Sequence, residues 1–153
     1  MREVSDPSMV DPLVLAAWMD EQGLGSGALE QVESIGGGTQ NVMLRFVRDG
    51  RAFVLRRGPQ HLRRRSNDSM RREMQVLKAL SRTAVPHPRL IASCPDETVL
   101  DGAAFYLMEP VYGFNASVEL PDLHADSTEI RHQMGLAMVD ALATLGSVDY
   151  AAV

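Results

Sequence analysis

Three consecutive glycines, Gly36, Gly37 and Gly38, stand between two runs of alternating apolar residues in SIGGGTQNVMLRFVRDGRAFVLRRGP, residues 34 to 59. Glycine backbone carries no Cβ, so its amides can approach phosphate oxygens closely. The run reads either as a phosphate cradle or as a wide turn. Two adjacent arginines, Arg56 and Arg57, close the second apolar run, and a strand period sends only one of them inward. Further on, Glu73 falls on or beside the apolar stripe of a helical segment. A carboxylate turned inward there is costly unless a cation or a hydrogen-bond donor meets it.

Composition bounds what such residues can belong to. The 153 residues suffice for one domain with a real core, and 45% apolar with 23% charged is ordinary for a globular protein. The single cysteine, Cys94, excludes an internal disulfide framework and a cysteine-based zinc site, and it reads as structural, in a reducing compartment. No signal peptide opens the sequence and no apolar run approaches membrane-spanning length, so a soluble cytoplasmic domain is expected. Net charge is −5, yet eight of the fifteen basic residues fall between Arg51 and Arg72. That stripe lacks interleaved aromatics, and the acidic remainder would repel a polyanion. A local phosphate site or a solvated basic face is therefore favoured over a nucleic-acid footprint, which would show steeply salt-dependent binding to DNA or RNA.

The elements that must position these residues follow from periodicity. Asp11-Pro12 caps and opens a helix with Leu15, Trp18 and Met19 on one face, and Gly23 ends it. Residues 28–35 read as a strand. After the glycines, Val42, Leu44 and Phe46 alternate with Met43, Arg45 and Val47, and Asp49-Gly50 is a hairpin signal before a third strand at 52–55. Strand, glycines, strand, turn, strand is not the order of a dinucleotide-binding or P-loop unit, where the loop must open a helix. A loop at 58–67 precedes a helix ending near Ser81, with cap candidates Ser66, Asn67, Asp68 and Ser69 and a stripe of Met70, Met74, Leu77 and Leu80. Short strands are expected at 89–93 and 103–109. Residues 112–126 read as irregular, and Asp126 with Glu129 resembles a capping box for a last helix carrying Ile130, Met134, Met138 and Leu145.

Five strands with a helix inserted between the third and fourth is the layout of a kinase N-terminal lobe. The segments GGGTQN (36–41), FVLRRGP (53–59), RREMQVLKAL (71–80), VPHPRLIA (85–92) and FYLMEPVYG (105–113) carry the closer resemblance. In order and spacing the chain resembles the N-terminal part of aminoglycoside-phosphotransferase-like enzymes, in the branch with kinase-like domains found alone or fused to acyl-CoA dehydrogenases. The resemblance implies an α+β fold: a five-stranded antiparallel sheet with one inserted helix, an N-terminal helix, and the first helix of a second lobe. It divides the chain into an N-terminal helix and linker (1–27), a nucleotide-binding lobe (28–112), and a linker with the first C-lobe helix (113–153). It implies ATP or GTP with magnesium as cofactor. Gly36, Gly37, Gly38, Thr39 and Asn41 would line the phosphate loop, with Asn41 where protein kinases carry a third glycine. The spacing favours Arg56 over Arg57 as the phosphate-gripping cation, with Glu73 as its helix partner. Met108 resembles the gatekeeper, and the carbonyl of Glu109 and amide of Val111 would hold the base, since Pro110 has no amide to donate.

Chemistry in this family rests on a His-Gly-Asp-x-x-x-x-Asn segment and a later metal-binding aspartate, and the 153 residues contain neither. His124-Ala125-Asp126 is a decoy: Arg131 stands five residues after Asp126, where asparagine is required. No catalytic residue and no metal ligand is therefore assigned. The expected activity is transfer of a nucleotide γ-phosphate to a small-molecule hydroxyl by a protein that also contains the catalytic segment. The alternative is a non-catalytic binding or assembly module that keeps the fold. The apolar face of the last helix points to association between copies through residues 127–146. No nucleic-acid or membrane partner is expected.

Overall fold

The computed structural model describes residues 10–35, 41–59 and 65–151. Contacts divide the chain into two units: one takes the chain up to Ser81 with Pro88–Pro110, the other Arg82–His87 and the chain from Val111 onward.

In the first unit, helix α1 (Pro12–Glu21) starts where Asp11 accepts from the amides of Leu13 and Val14, with proline at its first position. It stops at Gly23, whose φ of 67° lets its amide and that of Leu24 turn back to the carbonyls of Asp20 and Met19. Strands β1 (Glu30–Ser34), β2 (Val42–Arg48) and β3 (Arg51–Arg57) form an antiparallel meander. Ile35 donates to the carbonyl of Met43, which carries the β1–β2 pairing one residue past Ser34. Asp49 and Gly50, both at positive φ, make the tight turn into β3 that their types favour. Helix α2 (Ser66–Leu80) follows, then β4 (Leu90–Cys94) and β5 (Phe105–Met108). The sheet order is β1-β2-β3-β5-β4, with every neighbouring pair antiparallel. The fold is therefore the expected α+β lobe with a helix inserted between the third and fourth strands.

Alternation gives the sheet two apolar faces. Leu44, Phe46, Phe53, Leu55, Phe105 and Leu107 point to one and pack with Leu15, Trp18 and Met19 of α1, Trp18 meeting Phe105 edge-on. Val54, Tyr106 and Met108 point to the other, against Met70 and Met74 of α2. The two helices are thus fastened to opposite faces. Arg48 secures α1: fully buried at the end of β2, it donates to the carbonyls of Gly27 and Ala16 and to Asp20 Oδ1, the last at 2.5 Å. Asn67 secures α2, taking the Ala104 amide and giving its own side-chain N–H to the Gly102 carbonyl. It is therefore no cap; α2 begins after Arg65 without any side-chain cap bond, the asparagine being taken by the segment that leads into β5.

The second unit contains a one-turn helix α3 (Asp122–Ala125), inside a stretch expected to be irregular, and helix α4 (Thr128–Gly146). The α4 cap is Ser127, which accepts from the Ile130 amide, and Glu129 pairs instead with Gln133 along the helix. The reason is α3 itself: it uses Asp126 as its C-cap, so the next helix starts one residue later. Arg131 gathers the carbonyls of His124 and Ala125 that α3 leaves open. Among the described residues no helix is long and apolar enough to cross a membrane.

Candidate functional site

Three neighbouring strands bring one row of side chains beneath α2. Met43 of β2 pairs in register with Arg56 of β3, and Arg56 with Tyr106 of β5. From above, one turn after the buried Met70, α2 supplies Glu73. Arg56 Nε donates to Glu73 Oε2 at 2.8 Å and Arg56 Nη2 donates to Oε1 at 3.1 Å. This is a two-pronged contact, the geometry that suits a planar guanidinium facing a carboxylate. The Tyr106 hydroxyl donates to Glu73 Oε2 at 3.0 Å, and Arg56 Nη1 donates to the Met43 sulfur at 3.6 Å.

The electrostatics follow from the partial burial of this cluster. Burial by itself would lower the pKa of Arg56, but the hydrogen bond and charge of Glu73 more than offset it and hold the guanidinium above its ordinary value. Burial, then the negative charge of Glu73, push the Tyr106 phenol well up, against a smaller opposing effect of Arg56. Tyr106 is consequently a neutral donor throughout the physiological range. Arg57 points to the opposite face of the sheet, where burial lowers its pKa. Strand parity puts only Arg56 on the face that α2 covers.

Asn41 lies at the entry to β2, while Gly36, Gly37, Gly38 and Thr39 lie outside the described residues. Met108 is buried among Val54, Met70, Met74 and Tyr106, on the same face as the ion pair. Glu109 follows β5; its amide donates to the Arg89 carbonyl, and its carboxylate lies 3.5 Å from Arg51 and 4.0 Å from Arg89. Val111 opens the second unit and is exposed. Of the expected residues, then, Arg56, Glu73 and Met108 lie together on one face of the first unit.

Two residues escaped the sequence reading. Tyr106 is the one hydroxyl in the buried strand FYLM and has the same parity as Met108, a signal available without the structure. Arg48 continues the inward parity of Val42, Leu44 and Phe46, but a charge at a strand end ordinarily reads as solvated.

A five-stranded antiparallel sheet with one helix after the third strand, and a strand arginine clasped by a carboxylate of that helix, defines a kinase-like N-terminal lobe. The chain belongs to the phosphotransferase enzyme family, which residues 31–153 match. The solved structure of a protein from Ralstonia eutropha JMP134, provisionally named an aminoglycoside phosphotransferase, superposes with a TM-score of 0.66 and 33% identity. That match takes in 94% of this chain and 40% of the other. A protein of Arabidopsis thaliana named probable acyl-CoA dehydrogenase IBR3 is 37% identical over 103 residues, 66% of this chain. Acyl-CoA dehydrogenase family member 10 of Mus musculus is 32% identical over 99 residues, 65% of this chain. The matched parts make up only 12% and 9% of those two proteins. Both the family and its connection with proteins named acyl-CoA dehydrogenases agree with the expectation from the sequence.

Proposed function

We propose that this chain is the nucleotide-binding part of a phosphotransferase that moves the γ-phosphate of ATP or GTP to a hydroxyl of a small molecule. The observation that carries the reading is the two-pronged Arg56–Glu73 pair on the α2 face of the sheet. A guanidinium held along one edge by a carboxylate is a fixed planar cation, a group suited to phosphate oxygens. In this reading Gly36, Gly37, Gly38, Thr39 and Asn41 surround the phosphates. Met108, the Glu109 carbonyl and the Val111 amide take the base.

Magnesium accompanies the nucleotide in such chemistry and neutralises charge on its phosphates. Among the described residues no group of three or more His, Cys, Asp or Glu could hold a metal ion. Phosphoryl transfer depends on positioning and charge stabilisation, and the 153 residues hold no His-Gly-Asp-x-x-x-x-Asn segment to position an acceptor hydroxyl. This chain alone is therefore proposed to bind nucleotide weakly and to transfer no phosphate. The exposed apolar side chains of α4 are proposed to join two copies of the isolated chain.

The test is titration of the purified 153-residue chain with magnesium-bound ATP and GTP, followed by NMR, beside a turnover assay. Saturable shifts centred on β3 and α2, lost in Arg56→Ala, are expected, with no label transferred. Absence of any nucleotide-dependent shift overturns the nucleotide reading. Magnesium-dependent phosphorylation by the pure chain overturns the account of the missing catalytic segment.

A further inference from the structure

We infer that Tyr106 is a positioning residue for the nucleotide phosphates: by holding Glu73 Oε2 it orients the carboxylate that in turn orients Arg56. The inference rests on the reading of Arg56 as the phosphate-binding cation. The terminal torsion of a glutamate is broad, so a carboxylate gripped only by a flexible arginine can swing between end-on and side-on pairing. Both members of this pair are partly exposed, which weakens their mutual hold. Tyr106 supplies what the pair lacks, a fixed third point. Its ring is buried between Arg56 in register on β3 and the side chains of α2, and its hydroxyl reaches Oε2 at 3.0 Å. Oε2 thereby accepts from both Tyr106 and Arg56 Nε, while Oε1 accepts from Nη2. With both oxygens committed, the guanidinium plane is set, and with it the direction in which Nη1 points.

The same geometry gives Tyr106 a role that filling space would not. Phenylalanine preserves the ring and its packing and removes only the hydroxyl's contacts with Glu73 Oε2 and with Arg56. A purely structural tyrosine would leave the phosphate preference untouched in that variant.

The experiment compares the unmodified chain with Tyr106→Phe in two readouts. Binding of magnesium-bound ATP is expected to weaken about five- to tenfold, within the worth of one ordinary hydrogen bond, while binding of adenosine, which carries no phosphate, stays within about twofold. Hydrogen exchange at Arg56 Nε, followed by NMR without nucleotide, is expected to quicken in the variant. An equal loss of affinity for ATP and adenosine, or no loss for either, overturns the positioning role. An unchanged Nε exchange rate overturns it whatever the nucleotide result. Failure of the unmodified chain to bind any nucleotide overturns the functional reading instead, and the exchange rate still decides whether Tyr106 orients Arg56. Thermal melts confirm that both proteins are folded.

Discussion

Arg56 and Glu73 are 27% and 34% exposed at their side chains, between the fully buried and the fully solvated case. Removing one partner is expected to cost about 1–2 kcal/mol, between the ~1 kcal/mol ceiling of exposed pairs and the ~3–5 kcal/mol of buried ones. Urea denaturation of Glu73→Ala checks this, and a change below a few tenths would mean that water already carries the pair. Tyr106 adds a pH dependence of definite sign. Its phenol is raised in the folded protein, first by burial and then by Glu73. The unfolded chain therefore loses that proton first, near pH ~10. The stabilisation is complete below that pH and declines as pH rises above it. Urea midpoints between pH 8 and 11 should fall less steeply in Tyr106→Phe than in the unmodified chain; parallel slopes would contradict this. Cys94 is buried, and burial raises its thiol above the ordinary range, so it is a poor nucleophile in the folded state. Alkylation at neutral pH should be slow until denaturant is added.

At the scale of elements, the decisive feature is that each face of the sheet has its own helix, fastened by a polar side chain that is buried for α1 and half-buried for α2. Arg48 is 1% exposed and joins β2 to α1 and to the segment before β1. Arg48→Ala leaves the carbonyls of Gly27 and Ala16 without their donor and opens a cavity between α1 and the sheet. The expected loss is about 3–5 kcal/mol. Asp20→Ala should cost less, about 1–2 kcal/mol, because Asp20 is largely solvated and Arg48 keeps two carbonyl acceptors. Equal losses in the two variants, measured by chemical denaturation, would show that the charge pair and not the carbonyl contacts holds α1. On α2, Asn67 does the corresponding work through Gly102 and Ala104. Arg71 adds ties to the Pro95 carbonyl and to Glu97, so the helix is anchored at two positions ahead of Glu73.

For the molecule as a whole, α4 is the unsatisfied element. It has no buried residue, and Met138, Val139 and Leu142 are each more than 60% exposed. Apolar residues lie on more than one side of this helix, a pattern that belongs to buried helices. Wet apolar surface costs roughly 25 cal/mol per Å², and contiguous patches drive association. The isolated chain is therefore expected to self-associate through residues 127–146. Sedimentation over a range of concentrations should show this, and Met138→Glu with Leu142→Glu should return the chain to a monomer. A monomeric unmodified chain with α4 well ordered would count against association.

The order of elements is written locally, in periods and punctuation. Alternation at 42–47, Asp49-Gly50 and the Met70–Leu80 stripe suffice for the meander and the inserted helix, because strand and helix periods and turn chemistry act over a few residues. The resemblance to the kinase-like family implied Arg56 and Glu73 as partners, whereas strand parity by itself said only that one of Arg56 and Arg57 turns inward. What the sequence alone left open was decided by contacts between distant elements. That Arg48 turns inward depends on carbonyls of α1 and of the segment before β1. That Asn67 serves the segment leading into β5 and caps nothing depends on a backbone amide 37 residues away. The Tyr106 hydroxyl finds its acceptor only once β5 lies beside β3 beneath α2, with 33 residues of chain between donor and acceptor. Local rules carry no information about such partners, because a buried polar group is defined by what folding brings to it.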